Sequence, residues 1–366
     1  MDISEITAQF SVDLPAASFG NGHINSTYTL GDPPRFILQK INTAVFSDPN
    51  GLMENVVAVT SYLREKIAEA GKDPNRETLT YLPTVGGDYC YRDSEGNCWR
   101  MYRFIGNAQA YETPTPSLFA DSARAFARFQ RMLSAFPAKT LHETIPQFHD
   151  TGKRFDQLIA AIAENRGGRA QDVQKEIDFA RARAEQTGLI TNAIRNGEIP
   201  LRVTHNDTKL NNVLFDDETG NALCVIDLDT VMPGSLLYDY GDALRFGAST
   251  AAEDETDLSK VEFDLDLFSA YTDAYLEELA DSITPREAEL LPTGAKLMTL
   301  ECGMRFLADH INGDVYFRIH RENHNLDRAR TQFRLVEDME EKETELKEIV
   351  RALCQKHGIP TASATF

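Results

Sequence analysis

The run Val203-Thr204-His205-Asn206-Asp207-Thr208-Lys209-Leu210-Asn211-Asn212-Val213-Leu214-Phe215, with Cys224-Val225-Ile226-Asp227-Leu228-Asp229 close behind it, constrains this chain more than any other stretch. Val213-Leu214-Phe215 reads as a short strand, and Asp216-Asp217-Glu218-Thr219-Gly220-Asn221 is a dense turn signal. Ala222 to Ile226 reads as the returning strand, which predicts an antiparallel hairpin. A hairpin sets its two open ends side by side, with strands about 5 Å apart. Asn212 lies at one open end and Asp227 at the other, and Asp207 precedes the first strand by a short loop. An amide oxygen and carboxylates gathered in this way are hard ligands, better suited to Mg²⁺ than to zinc or iron.

The spacing also has a chemical meaning. His205-x-Asp207 with Asn212 five residues beyond the aspartate matches the catalytic-loop pattern of kinases. Asp227, after an apolar strand, matches their metal-binding aspartate. The competing reading is a polar loop that merely caps a hairpin. The hairpin ending in Ile226-Asp227 at the right distance weighs against it.

A chain of 366 residues is long enough for two lobes, each with its own core. No apolar run approaches the twenty or so residues that span a bilayer. The acidic start Met1-Asp2-Ile3-Ser4-Glu5 lacks the basic and apolar regions of a signal peptide, so a cytoplasmic protein is expected. Cys90, Cys98, Cys224, Cys302 and Cys354 show no metal-site spacing and read as free thiols in a reducing compartment. Cys90 and Cys98 flank a turn and could face each other, with a disulfide the minority reading. A net charge of −20 argues against a nucleic-acid partner, whose phosphates need clustered Lys and Arg. The same field would welcome a cationic ligand.

Near the N-terminus, Gly20 and Gly22 permit a tight turn and a close approach of backbone to ligand. Ser26-Thr27-Tyr28-Thr29-Leu30 and Phe36-Ile37-Leu38-Gln39-Lys40-Ile41 read as strands around the turn Asp32-Pro33-Pro34. Glycines followed by a strand with a lysine resemble the loop and strand that cover ATP phosphates in kinases, which makes Lys40 the candidate phosphate partner. Ser47-Asp48-Pro49 starts an amphipathic helix through Val56, Val59, Leu63 and Ile67 that ends near Gly71. Glu54 is a possible acidic partner for Lys40, although its place near the helix start leaves the register open. Leu79 to Val85, Asp88 to Tyr91 and Cys98 to Ile105 read as further strands. Arg103-Phe104-Ile105-Gly106-Asn107 then leads to Thr113-Pro114-Thr115-Pro116, a link between lobes where exposed backbone suits a nucleotide base.

From Ser117 the pattern turns helical, with Phe119, Ala123, Phe126 and Leu133 on one face. Asp239, in Tyr238-Asp239-Tyr240-Gly241-Asp242, is placed to bond the catalytic-loop backbone or His205, or to serve a helix N-terminus. Thr284-Pro285-Arg286-Glu287 fits a capping box, and Pro292 marks a kink or break. His310, His320 and His324 lack a second ligand motif, and no metal is expected there.

Taken together, Gly22 to Asn25, Phe36 to Asn42, Thr204 to Asn212, Ile226 to Gly234, Asp239 to Asp242 and His320 to Arg330 resemble the aminoglycoside phosphotransferase and choline kinase superfamily. Within it the resemblance is to N-acetylhexosamine 1-kinases. It implies an α+β, bilobal protein-kinase-like fold, with a small β-rich N-lobe over 1–106 and a larger, mainly helical C-lobe over 107–366. It implies ATP and Mg²⁺ as cofactors, and transfer of the γ-phosphoryl group to the anomeric hydroxyl of a sugar. Asp207 would be the base, assisted by Lys209. Asn212 and Asp227, with Asp229 to one side, would hold the metal. Gly20, Gly22, Lys40, Arg103, Phe104 and Ile105 would meet the nucleotide, and His23, Phe246 and Arg305 would meet the sugar. His205 is expected to fix the loop rather than carry a proton. An aminoglycoside or choline-like acceptor and a non-catalytic nucleotide-binding module are the alternatives. Loss of Asp207, Asn212 or Asp227 would favour the module, and all three are present.

Overall fold

Local signals of capping and alternation account for most elements in the computed structural model, which describes residues 3–20 and 25–361. Gly22 and His23 lie outside the described residues. The chain forms two compact units that are not consecutive in sequence. Unit 1 comprises Met1–Glu112, Met132–Pro146 and Asn211–Pro233, and unit 2 comprises Thr113–Arg131, Gln147–Leu210 and Gly234–Phe366.

In unit 1, the helix α1 (Ile3–Ala8) precedes β1 (Ala16–Ser18), β2 (Ser26–Leu30) and β3 (Phe36–Ile41). The helices α2 (Pro49–Glu69) and α3 (Pro74–Glu77) follow, then β4 (Tyr91–Arg92) and β5 (Cys98–Arg103). The five strands form an antiparallel sheet in the order β1-β2-β3-β5-β4. One face buries Leu30, Leu38, Trp99 and Met101 against Ile6, Phe10 and Val12 from the N-terminal segment. α2 begins where the sequence predicts: Asp48 caps it by accepting from the Gly51 amide at 3.0 Å, and Pro49 supplies the fixed φ of a first turn. Its buried stripe includes Leu52, Val56, Val59, Leu63 and Ile67.

The stretch Leu79 to Val85 departs from expectation. Only Tyr81 makes a sheet bridge, opposite Tyr102. The segment still runs beside β5, with the Leu82 amide donating to Met101 and the Arg103 amide to Thr80. Pro83, which has no amide hydrogen, interrupts any longer ladder.

The predicted hairpin is β8 (Val213–Asp216) and β9 (Ala222–Val225), with Val213 opposite Val225; β6 (Ala108–Gln109) joins the outer side of β8, and β7 (Arg202–Thr204) lies earlier in the chain. The hairpin therefore falls in unit 1 with residues 1–112, where a sequential division at 106 would have grouped it with the helices. Arg76 reinforces this by donating to Asp216 at 2.8 Å.

Unit 2 is built from α4 (Pro116–Met132), α5 (Thr151–Glu164), α6 (Gln174–Arg181), α7 (Leu189–Arg195), α8 (Leu236–Gly247) and α9 (Leu265–Leu279). It is completed by α10 (Pro285–Glu289), α11 (Leu291–Asn312), α12 (His324–Glu341) and α13 (Glu343–Lys356). Thr284 and Glu287 form the reciprocal capping box at α10, and Pro292 sits in the first turn of α11, so the break falls between two helices. α11 packs against α5, α8 and α12 and is the spine of the larger core. Among the described residues no helix is long and apolar enough to cross a membrane.

Candidate functional site

In unit 2, the loop after β7 is held by two buried carboxylates of α8. Asp239, in the first turn of α8, accepts the His205 amide at 2.9 Å and the Asn206 amide at 2.7 Å, and also a hydrogen bond from Gln130. Burial pushes its carboxyl up, opposed by the neighbouring His205 and by these donors. Both sequence readings of Asp239 are met at once, since a helix-start carboxylate is the group that bonds the loop. Thr208 closes the other side: its hydroxyl donates to the Asp239 carbonyl at 2.6 Å and its amide to Asp242 at 3.0 Å. His205 is fully buried, its ring edge-on to Phe126 and Phe129, and its Nδ1 accepts the Asp207 amide at 3.3 Å.

This scaffold presents Asp207, which is half-buried, to Lys209, whose Nζ lies 2.6 Å from Oδ1. Burial lowers the pKa of the Lys209 ammonium, but the carboxylates of Asp207 and Asp242 more than offset that and leave it raised. Asp242 is buried too, which opposes ionisation; Arg245 and Lys209 overcome this and hold its carboxyl below the usual range. The arrangement sets a carboxylate on a fixed loop, the placement needed for a group that accepts a hydroxyl proton.

In unit 1, the carbonyl of Asn212 accepts the Ile226 amide at 2.9 Å and closes the open end of the hairpin, with Asp227 next in line. Asp227 is exposed and takes a left-handed backbone conformation, φ 58°. An exposed carboxylate beside an asparagine fits a hard divalent cation. Asp229 departs from its expected place among the metal ligands. It is buried, and one oxygen pairs with Arg100 of β5 while the other accepts Asn25 Nδ2 at 2.7 Å. Its charge neutralises a buried guanidinium, so it serves the sheet. Arg100 also donates to Gln39 Oε1 from Nη2 at 2.7 Å, and the Asn42 amide donates to Asn25. Through Asn25, Gln39 and Arg100 the sheet grips the segment that carries Asp227.

Lys40 is half-buried on β3, opposite Ser26 and Trp99. Glu54 is not its partner: it is exposed and meets His142 at 2.7 Å. The next residue, Asn55, is the one buried, donating to the carbonyls of His142 and Val231. Gly20 has φ 70°, a conformation that a glycine adopts without strain. The Arg103 and Phe104 amides are committed to the carbonyls of Thr80 and Arg35, which removes two donors from those expected to meet a base. Ile105 is buried, and Phe104 meets Phe19 edge-on.

Of the proposed sugar contacts in unit 2, Arg305 lies on α11 between the rings of Phe148 and Phe317, 5.4 and 5.5 Å from their centroids. Phe246, at the end of α8, is 44% exposed. One turn before Arg305, Glu301 accepts from His149 and Thr151, and His149 reaches the Asn206 carbonyl. Sequence reading missed Arg100, Asn25, His149, Glu301 and Asp242 as site residues. A signal for two of them was available: Arg100 sits inside the apolar strand Cys98-Trp99-Arg100-Met101, and Glu301 follows Thr299-Leu300 on a helix buried nearly throughout. Charged residues in such positions are rarely buried unless paired.

Residues 16–280 match the family model described as the phosphotransferase enzyme family. Among solved structures, a microcompartment-associated aminopropanol kinase aligns over 94% of this chain and 98% of its own, at 15% identity and a TM-score of 0.59. An aminoglycoside phosphotransferase from Alicyclobacillus acidocaldarius subsp. acidocaldarius DSM 446 aligns over 96% of this chain and 95% of its own, at 12% identity and a TM-score of 0.59. A choline/ethanolamine kinase family protein from Mesorhizobium loti aligns over 96% and 99%, at 16% identity and a TM-score of 0.53. At these identities the likeness is one of fold, a small sheet-bearing part with a larger helical one. The family match covers well over half of the residues and includes the pinned loop and the hairpin, so the chain belongs to the phosphotransferase enzyme family.

Proposed function

We propose that this protein transfers the γ-phosphoryl group of ATP to the anomeric hydroxyl of an N-acetylhexosamine, giving a sugar 1-phosphate and ADP. The observation that carries the reading is the loop 205–208, pinned by Asp239 and Asp242 so that Asp207 is presented beside Lys209. Phosphoryl transfer asks a protein mainly for alignment and charge compensation. Asp207 orients the acceptor hydroxyl and takes its proton as the oxygen–phosphorus bond forms. An anomeric hydroxyl is more acidic than an ordinary alcohol, so a carboxylate of modest basicity suffices. Lys209 compensates charge as it develops and exchanges its ion pair with Asp207 for the transferring group. Asn212 and Asp227 are the residues that would hold Mg²⁺, which when bound supplies charge neutralisation on the phosphates. Lys40 adds a fixed positive charge on the nucleotide side.

The resemblance of the flanking segments supports the sugar. So does Arg305, a cation held between two aromatic rings on the helix that reaches the catalytic loop through Glu301 and His149. A guanidinium there favours neutral hydroxylated acceptors over cationic ones. The net charge of −20 favours the second reading, an aminoglycoside or choline-like acceptor. ADP release measured across N-acetylglucosamine, N-acetylgalactosamine, aminoglycosides and choline separates the two. Turnover with the amino sugars and a ³¹P signal of an anomeric phosphate is the expected result. Turnover confined to cationic acceptors would overturn the sugar assignment.

A further inference from the structure

The peptide before the proposed base is held in a costly conformation from both sides. Asn206 adopts a left-handed backbone, φ 66°, which a non-glycine residue keeps only where its surroundings determine it. Its amide is fixed by Asp239, as described above. Its carbonyl is fixed from a different direction: His149 Nε2 lies 3.1 Å away. On the far side of the ring, Nδ1 is 2.8 Å from Glu301 Oε1, and Glu301 Oε2 accepts the Thr151 hydroxyl at 2.7 Å. His149 is 7% exposed and Glu301 1%.

The chemistry of the acceptors sets the protons. A carbonyl can only accept, so Nε2 carries a hydrogen. Burial pushes the Glu301 carboxyl up, but His149, Arg305 and the Thr151 hydroxyl pull it down further and leave it below the usual range. Glu301 closes the other edge of the ring at Nδ1, so the ring is held at both nitrogens. A donor backed by a buried carboxylate holds the Asn206 carbonyl more firmly than an unsupported ring would. It also polarises the peptide whose amide, that of Asp207, donates to His205. Two side chains, His149 and His205, thus bond the 206–207 peptide unit itself, and Asp239 holds the amide on the other side of Asn206. We infer that His149 and Glu301 are positioning residues, a buried histidine–carboxylate pair that locks the 206–207 peptide and so aims the Asp207 carboxylate. The inference rests on the reading of Asp207 as the base, and its structural half is testable without it.

Amide hydrogen exchange of the segment 203–210 in the full-length protein reads the lock directly, with no substrate present. His149→Ala is expected to exchange this segment faster than wild type while melting cooperatively and binding ATP unchanged. Its kcat is expected to fall by roughly 100-fold, as for a reacting group misplaced by about 1 Å, with KM for both substrates preserved. His149→Gln, whose side-chain amide can still donate to the carbonyl, is expected to recover part of both effects. Wild-type exchange in folded His149→Ala would overturn the inference. Equal damage in the alanine and glutamine variants would overturn it too, since bulk packing would then explain the loss. Should His149→Ala not fold, Glu301→Gln keeps the side-chain volume and removes the charge that orients the ring. Slower turnover and faster exchange are expected there, and wild-type values of both would overturn the pair. If the wild-type enzyme releases no ADP with any acceptor, the kinase reading fails while the exchange data still decide the lock.

Discussion

Asp207 and Asp93 show how two carboxylates of one chain are tuned for different ends. Asp207 is half-buried and paired with Lys209, so replacing it with asparagine preserves shape and removes basicity. Asp207→Asn is expected to lower kcat by about 10²–10⁴-fold with nucleotide affinity unchanged, measured by ADP release and by titration of ATP binding. Turnover near wild type would remove it as the base. Asp93 organises the turn between β4 and β5, accepting Trp99 Nε1 at 2.8 Å, the Asn97 and Glu95 amides, and Asn97 Nδ2. Burial pushes this carboxyl up, yet the donors outweigh it and bring it down to about 2. A depressed native pKa contributes stability that is full above the unfolded value, near 3.9, and is lost as pH falls through the native one. Asp93→Asn is therefore expected to be less stable than wild type at pH 7. Denaturant unfolding should show that gap narrowing between about pH 4 and pH 2, and a gap independent of pH would refute the assignment.

Among the elements, α8 matters most, because it carries both Asp239 and Asp242 and packs against α11 with Gly241 set close to the Gly294 backbone. A Cβ on Gly241 would stand 2.4 Å from the Gly294 carbonyl oxygen, and one on Gly294 would stand 3.0 Å from that of Leu237. Backbone cannot yield as a flexible side chain can. Gly241→Ala is expected to cost about 1–3 kcal/mol and to lower kcat as well, since moving α8 moves the clamp on the catalytic loop. Urea unfolding and ADP release check the two effects together, and full activity in a destabilised variant would uncouple α8 from the loop. No short-range pattern announces this crossing. What could be read in the sequence was local: the Asp48 cap, the Thr284–Glu287 box, and a hairpin whose turn and strands lie within a few residues of one another. Asp239 was legible because its likeness to a loop anchor coincides with a helix start. The Arg100–Asp229 pair spans 129 positions and the His149–Glu301 pair 152. Such contacts are created by packing, so the charges of Arg100 and Glu301 were visible while their partners were not. Asp229 was placed to one side of the metal for the same reason, since Asp227 stands two residues away in sequence and its own partner Arg100 far off.

For the whole molecule, the discontinuity of unit 1 has an energetic consequence. Arg100 is 2% exposed and Asp229, its counter-charge, is 4% exposed. A fragment ending at Glu112 would retain every strand of the five-stranded sheet but leave this guanidinium without its partner. Removing one member of a buried pair costs about 3–5 kcal/mol, a large share of the 5–15 kcal/mol that stabilises an ordinary domain. The fragment is expected to lack a cooperative thermal transition by circular dichroism, where the full chain has one. A cooperative melt in the fragment would show that the sheet stands without Asp229. The same feature sets an order in time when the protein is made. At ordinary synthesis rates of about 5–20 residues per second, Asp229 follows Arg100 out of the ribosome by roughly 6–26 seconds. During that interval the sheet holds a cation awaiting its anion, and the first-translated part of the chain stays open to proteases and chaperones until a segment well past the middle has emerged.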